Sequence, residues 1–311
     1  MTSRLGEAAP ATTSRPAPSP CLMPVRWFAA AVETARPRQW PKNMLVFAAP
    51  LAGASLGRDD GAGYALVAAA AFVAASSAVY FVNDVVDAER DRRHPVKRSR
   101  PVASGRLPGA HALALAALVT VASLAAGPVI GEPRLSAVIA VYLTLSALYT
   151  VTLKHIPVVE LAFVASGFVL RALGGAIATH VPPSAWFLLV CSLGALMVAT
   201  AKRFTELTVL KAAAARHRPV MRWYSRRVLR LSQRAVACAM VLAYLLWAQS
   251  EQNPWMRGWH LASGVALTAA LIRFDKLTAR VTGRPVEDLI ARDAVMVYFE
   301  LTWLTMFAAG L

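Results

Sequence analysis

Apolar stretches long enough to cross a hydrocarbon core, about 17 to 22 residues each, recur near 41–57, 64–83, 110–130, 135–151, 158–179, 184–201, 232–249, 258–274 and 293–310. None shows the strict alternation of a barrel strand, and backbone in lipid must satisfy its own hydrogen bonds, so each is expected to be a helix. The pattern predicts an all-α fold: a multi-pass membrane bundle of nine transmembrane helices occupying 26–311, the first and fourth being short. Residues 1–25 are rich in Pro, Ala, Ser and Thr and read as a disordered cytoplasmic tail, with no cleavable leader.

The polar connections sort by charge. Arg90, Arg92, Arg93, Lys97, Arg98, Arg100 and Arg106 follow the second predicted helix, and Lys154 follows the fourth. A long loop from Lys202 through Lys211, Arg216, Arg218, Arg222, Arg226 and Arg227 to Arg230 follows the sixth, and Lys276, Arg280 and Arg284 follow the eighth. The intervening loops are poor in cations, which places the N-terminus in the cytoplasm and the C-terminus outside. With 57% hydrophobic residues, the net charge of +16 belongs to loops facing anionic lipid heads rather than to a nucleic-acid binder. Cys21, Cys191 and Cys238 are scattered, with no metal-like spacing, and read as unpaired thiols.

Candidate chemistry begins where the second helix leaves the lipid, in "YFVNDVVDAERDRRHPVKRSRP" (80–101). A polar juxtamembrane loop accounts for the charges but not for their spacing. If the helix continues, Asn83, Asp87 and Asp91 stack at i, i+4 and i+8, with Asp84 flanking them. Carboxylates so placed repel one another unless a cation lies between them. Oxygen donors without His or Cys suit magnesium, which takes one or two carboxylates and completes its shell with water and substrate phosphate. His94, Lys97, Arg100 and Arg106 come next and are natural anion ligands. Arg171 lies deep in the fifth predicted helix, where an unpaired cation costs about 2.5–3.5 kcal/mol to insert. It should therefore face the interior and meet an anion.

The motif N-D-x-x-D-x-x-x-D at the end of the second of nine spans resembles the UbiA superfamily of intramembrane prenyltransferases. Most members of that superfamily carry a second acidic motif, D-x-x-x-D. Here the corresponding stretch has only Glu160, with Val164 four residues on, amid Lys154, His155, Arg171, Lys202 and Arg203. "RPRQWPKN" (36–43), "HPVKRSRP" (94–101) and "LKHIPVVELAFVASGFVLRALGGA" further resemble the decaprenyl-phosphate phosphoribosyltransferase branch. That resemblance implies phosphoribosyl diphosphate as donor, decaprenyl phosphate as acceptor, Mg2+ as cofactor and a role in cell-wall arabinan synthesis at the plasma membrane. It also implies that Asn83 and Asp87 hold the metal, with Asp84, Asp87 and Asp91 as the catalytic acids. Lys42, Tyr80, Lys97 and Arg100 would hold donor phosphates, while Lys154, Arg171 and Lys202 would seat the lipid phosphate.

Other features have simpler readings. Trp40 reads as an interfacial anchor, and the basic stretch around Trp223 and Tyr224 as a surface helix or a lid. Ser166, Gly167, Gly174 and Gly175 read as sites of close helix packing. The expected partners are the two substrates and membrane lipid, with no nucleic acid; a homo-oligomer is compatible with the pattern. Two rivals remain: prenyl transfer to an aromatic acceptor, opposed by the missing acidic pair, and an ion or phosphate transporter. The transporter is opposed by acids gathered at one membrane face rather than the midplane.

Overall fold

The computed structural model describes residues 23–57, 60–152, 156–210, 219–280 and 286–311. Most of the expected tail, and Lys154 and His155, lie outside the described residues. The chain forms an all-α, multi-pass membrane bundle. Among the described residues, six helices are long and apolar enough to cross a bilayer. They are α3 (Gly61–Val86), α5 (Gly109–Val129), α6 (Pro133–Val151), α7 (Val159–Ala178), α8 (Ala185–Leu210) and α9 (Arg226–Ser250). Short connections make neighbours antiparallel. Beyond them lie α10 (Pro254–Ala279), the brief α11 (Val286–Ala291) and α12 (Ala294–Ala309). At 1.5 Å per residue the 16-residue α12 is only about 24 Å long, short of the core thickness.

The first expected span, 41–57, is not one continuous helix. The segment begins earlier, as α1 (Met23–Ala35), passes through a 3-10 stretch (Pro37–Phe47) and ends in the short α2 (Ala48–Ala52). Proline is the reason. Pro37 pushes Arg36 out of the helical region, to φ 55° and ψ 65°, and Pro41 removes a further backbone donor. The expected loop at 202–230 is also corrected. Helix α8 runs on to Leu210 and α9 starts at Arg226. Helix continuation is possible because Arg203, near the end of α8, bonds both to Glu206 on the same helix and to Glu160 on α7.

Helix α3 is the axis of the N-terminal half, packing on α1, the 3-10 stretch, α5, α6 and α7. Its buried face carries Ala65, Ala68, Phe72 and Ala75, spaced three and four residues apart as a packed helix requires. Phe72 meets Tyr142 of α6 edge-to-face at 5.7 Å. Lipid supplies no hydrophobic force between helices, so close approach through small residues does the packing. At Gly175 of α7 a Cβ would lie 1.7 Å from the Val46 carbonyl oxygen, so glycine alone admits the 3-10 stretch. The C-terminal half, α8, α9, α10 and α12, buries its own core around Tyr244, Leu271 and Phe274.

Candidate active site

Helix α3 ends at Val86 and α4 (Ala88–Arg92) begins at once, with Asp87 shared between them. Helical bonding runs through the junction: the Asp87 amide donates to Asn83 O (2.9 Å) and the Asp91 amide to Asp87 O (2.8 Å). Asn83, Asp87 and Asp91 therefore keep the expected i, i+4, i+8 register. Their surroundings differ. Asn83 Oδ1 accepts from Thr150 Oγ1 of α6 at 2.8 Å. The Asp87 side chain is about a quarter exposed, 3.5 Å from Arg90 Nη1, and its buried Oδ1 has no hydrogen-bond partner.

Asp84 and Asp91, by contrast, are both buried and both paired. Arg36 donates to Asp84 Oδ1 at 2.6 Å. Arg100 donates to Asp91 Oδ2 at 2.7 Å and to Asp84 Oδ1 at 3.4 Å, so one guanidinium bridges two carboxylates. The cation demanded by this spacing of acids is, between Asp84 and Asp91, an arginine. Arg36 also lies over the ring of Tyr80, 4.7 Å from its centroid. Sequence reasoning assigned Arg36 no role, although it opens the quoted stretch RPRQWPKN (36–43).

The other basic residues separate. Lys97 is exposed on the short 3-10 turn Lys97–Ser99. His94, expected among the anion ligands, accepts the Val96 and Lys97 amides on Nδ1, both at 3.2 Å, and so shapes that turn. Arg106 is clamped to both carboxylate oxygens of Glu33 (2.7 and 2.9 Å) and to Ser99 O, so it fastens the loop to α1 instead of facing the acids. That carboxylate pushes the Arg106 pKa still higher. Lys42 Nζ donates to Gln39 Oε1. Trp40, more than a third exposed, donates from Nε1 to Ala35 O.

About two turns deeper along α3, Ser76 marks a second polar level. Arg171 of α7 faces the interior there, as expected, and is nearly fully buried. Its Nε donates to Asn43 Oδ1 (2.7 Å), Nη1 to Gly167 O (2.5 Å) and Nη2 to Tyr142 Oη (3.1 Å). The rings of Tyr142 and Phe72 lie 4.8 and 5.9 Å from the guanidinium carbon. All these partners are neutral, so among the described residues no carboxylate is the anion anticipated for Arg171. Asn43 was not singled out from sequence; it holds Arg171 and, at 3.5 Å, Ser76.

Across the bundle, the position of the missing acidic pair is taken by an ion-pair cluster. Glu160, fully buried at the start of α7, accepts from Arg203 Nε of α8 at 2.7 Å, and Arg203 Nη1 reaches Glu206 at 2.9 Å. Tyr224 Oη accepts the amide of Val158, which is held at φ 65°. Lys202 lies over the Phe168 ring at 5.9 Å. Among the described residues no three His, Cys, Asp or Glu side chains form a metal-holding group. A hard ion at this end would rely on Asn83, Asp87 and ligand oxygens, and Asp87 Oδ1, which has no hydrogen bond and stands 3.5 Å from the largely exposed Arg90, suits that role.

Residues 43–284 match the model of the UbiA prenyltransferase family. The decaprenyl-phosphate phosphoribosyltransferase of Mycobacterium tuberculosis is 39% identical over 292 residues, covering 92% of this chain and 96% of the relative. The protein of that name from Mycolicibacterium smegmatis is 36% identical, covering 93% and 94%. In three dimensions the bundle resembles a UbiA homolog from Archaeoglobus fulgidus bound to GPP and Mg2+. The TM-score is 0.66 at 15% identity, over 90% of this chain and 98% of that one, a likeness of fold.

Proposed function

We propose, for a chain that belongs to the UbiA prenyltransferase family and to its decaprenyl-phosphate phosphoribosyltransferase branch, a transfer of 5-phosphoribosyl from phosphoribosyl diphosphate to decaprenyl phosphate. Diphosphate is released, and the product lipid feeds arabinan synthesis in the cell wall. The observation that carries this reading is the asymmetry of the two polar clusters. One end offers Asn83 and Asp87 as oxygen donors; opposite, Glu160 is consumed by Arg203, beside Lys202. Such an arrangement suits one metal-bound diphosphate and one phosphate held directly by cations. A prenyl transferase with two acidic motifs has different needs.

Asn83 and Asp87 would hold Mg2+ through side-chain oxygens, with Asp84 and Asp91 completing the acidic end. When bound, the ion neutralises charge that develops on the departing diphosphate. Lys42, Tyr80, Lys97 and Arg100 bind the remaining donor oxygens, including the 5-phosphate. Lys154, Arg171 and Lys202 seat the lipid phosphate, its tail running between helices into the membrane. A phosphate oxygen of the lipid bonds to ribose C1 as the C1–O bond to diphosphate breaks. The attacking oxygen is already ionised at neutral pH, so no side chain must remove a proton. The work of the protein is to bring two repelling anions together.

The loop charges support a cytoplasmic N-terminus, nine membrane crossings counting the broken first segment, and a site facing the cytoplasm from the plasma membrane. The deciding experiment incubates membranes holding this protein with labelled phosphoribosyl diphosphate and polyprenyl phosphate. A parallel mixture contains prenyl diphosphate and 4-hydroxybenzoate, each with and without Mg2+. Labelled lipid only in the first mixture, and only with metal, is the expected result; product in the second alone would overturn it.

A further inference from the structure

Four polar residues make up the acidic motif, yet they fall into two kinds of environment. Asn83 and Asp87 are only partly buried, and Asp87 Oδ1 has no hydrogen-bond partner, its nearest cation being the largely exposed Arg90 at 3.5 Å. Asp84 and Asp91 are 2% exposed and have guanidinium nitrogens at 2.6 and 2.7 Å. A metal at either of these would have to share a buried carboxylate with a guanidinium already bound to it, and two cations so close repel each other. Arg36 and Arg100 balance the charge of the two acids. Asp87, 3.5 Å from the largely exposed Arg90, then offers its carboxylate toward a divalent ion, and with that ion bound the site keeps a net positive charge for diphosphate.

The arginines are not used up by these pairs. A guanidinium has five N–H donors in a rigid fork. The Arg36 and Arg100 side chains stay 31% and 29% exposed, with bonds from only one terminal nitrogen each to the acids. Arg36 is fixed from three sides: by Asp84, by the Tyr80 ring, and by its own backbone in the left-handed region ahead of Pro37. Tyr80 and Asp84 are one turn apart on α3, so both restraints come from a single helix face. A non-glycine residue with positive φ is costly, and the cost is tolerated where the surrounding structure demands one placement.

We infer that the motif divides its labour: Asn83 and Asp87 hold the metal, while Asp84 and Asp91 are positioning residues that aim Arg36 and Arg100 at the phosphate oxygens of the donor. Arg36 thereby becomes a diphosphate ligand, placed just ahead of the 3-10 stretch. This inference rests on the proposed reading of the site as a diphosphate site, and its test does not need turnover.

The full-length protein in detergent is titrated with Mn2+, followed by the electron paramagnetic resonance of the unbound ion, and with inorganic diphosphate by calorimetry. Asp87→Asn should weaken Mn2+ at least tenfold, and Asp84→Asn less than twofold. Asp84→Asn and Arg36→Gln should each weaken diphosphate roughly tenfold, the scale of a lost charge-assisted bond. The double variant should be little worse than either single one, because both break one unit. Arg36→Lys should recover only part, since an ammonium lacks the fork. Equal loss of Mn2+ in Asp84→Asn and Asp87→Asn would overturn the division. So would additive losses of diphosphate, or undiminished diphosphate binding in Arg36→Gln. If Asp84→Asn does not fold, the two Arg36 variants carry the test unaided. Failure of the transferase reading has another signature: no labelled lipid in any mixture, with these binding results intact.

Discussion

Asn83, Asp87 and Asp91 were legible as a set because the helical period is local: four residues make one turn whatever the tertiary structure. Their partners were not legible. Arg36 and Asp84 are 48 positions apart, and Arg171 and Asn43 are 128 apart. At this scale Asp87→Asn is expected to abolish turnover while thermal unfolding in detergent stays within a few degrees of wild type. Arg171→Leu should raise the KM for lipid phosphate about tenfold, the scale of a lost charge-assisted bond, and that for phosphoribosyl diphosphate much less. Equal effects would move Arg171 to the other substrate. Asn43→Ala should reproduce part of the Arg171→Leu defect, because it removes the acceptor that orients Nε.

Among the elements, the broken first segment and the long α8 were the two that hydropathy misjudged. A sliding average sees apolar content but not the missing N–H of Pro41, nor an Arg203 that finds Glu160 on another helix. Packing sharpens the first case. Gly175→Ala would drive a methyl into the Val46 carbonyl oxygen and should cost about 1–3 kcal/mol, the usual range for overpacking. It should also reduce activity by displacing Asn43. Gly63→Ala, whose methyl would meet nothing within 4 Å, is the control and should not lower the melting temperature. A second element-level prediction concerns α10 and α12. Asp293 caps α12 through the Met296 amide and binds Arg273 of α10 with both oxygens, at 3.0 and 2.6 Å. Arg273 holds its pKa down to about 2. With a depressed folded-state value, the stabilisation is present above the ordinary range near pH 4 and is lost as pH falls toward 2. Melting curves between pH 6 and 2.5 should show that loss, and Asp293→Asn should flatten it.

At the scale of the molecule, the bundle places the acidic end of α3 and the Glu160–Arg203 cluster on parts of the chain that never adjoin in sequence. Orientation in the membrane is open to a direct check. In a cysteine-free background, a cysteine replacing Lys97 should resist an impermeant maleimide on intact cells and react after permeabilisation. One replacing Asn253, which caps α10, should react on intact cells. The reverse pattern would turn the proposed topology over.

The order of apolar and charged residues by itself determined that this chain is a helical membrane bundle with an acid-bearing second span and a basic counterpart, since lipid solvation and helical period act on each segment separately. Only the folded arrangement decided which acids are buried against an arginine, as Asp84 and Asp91 are, and which stay partly exposed, as Asp87 does. That outcome depends on distances between residues remote in the chain, where a guanidinium 2.6 Å away changes what a carboxylate can bind.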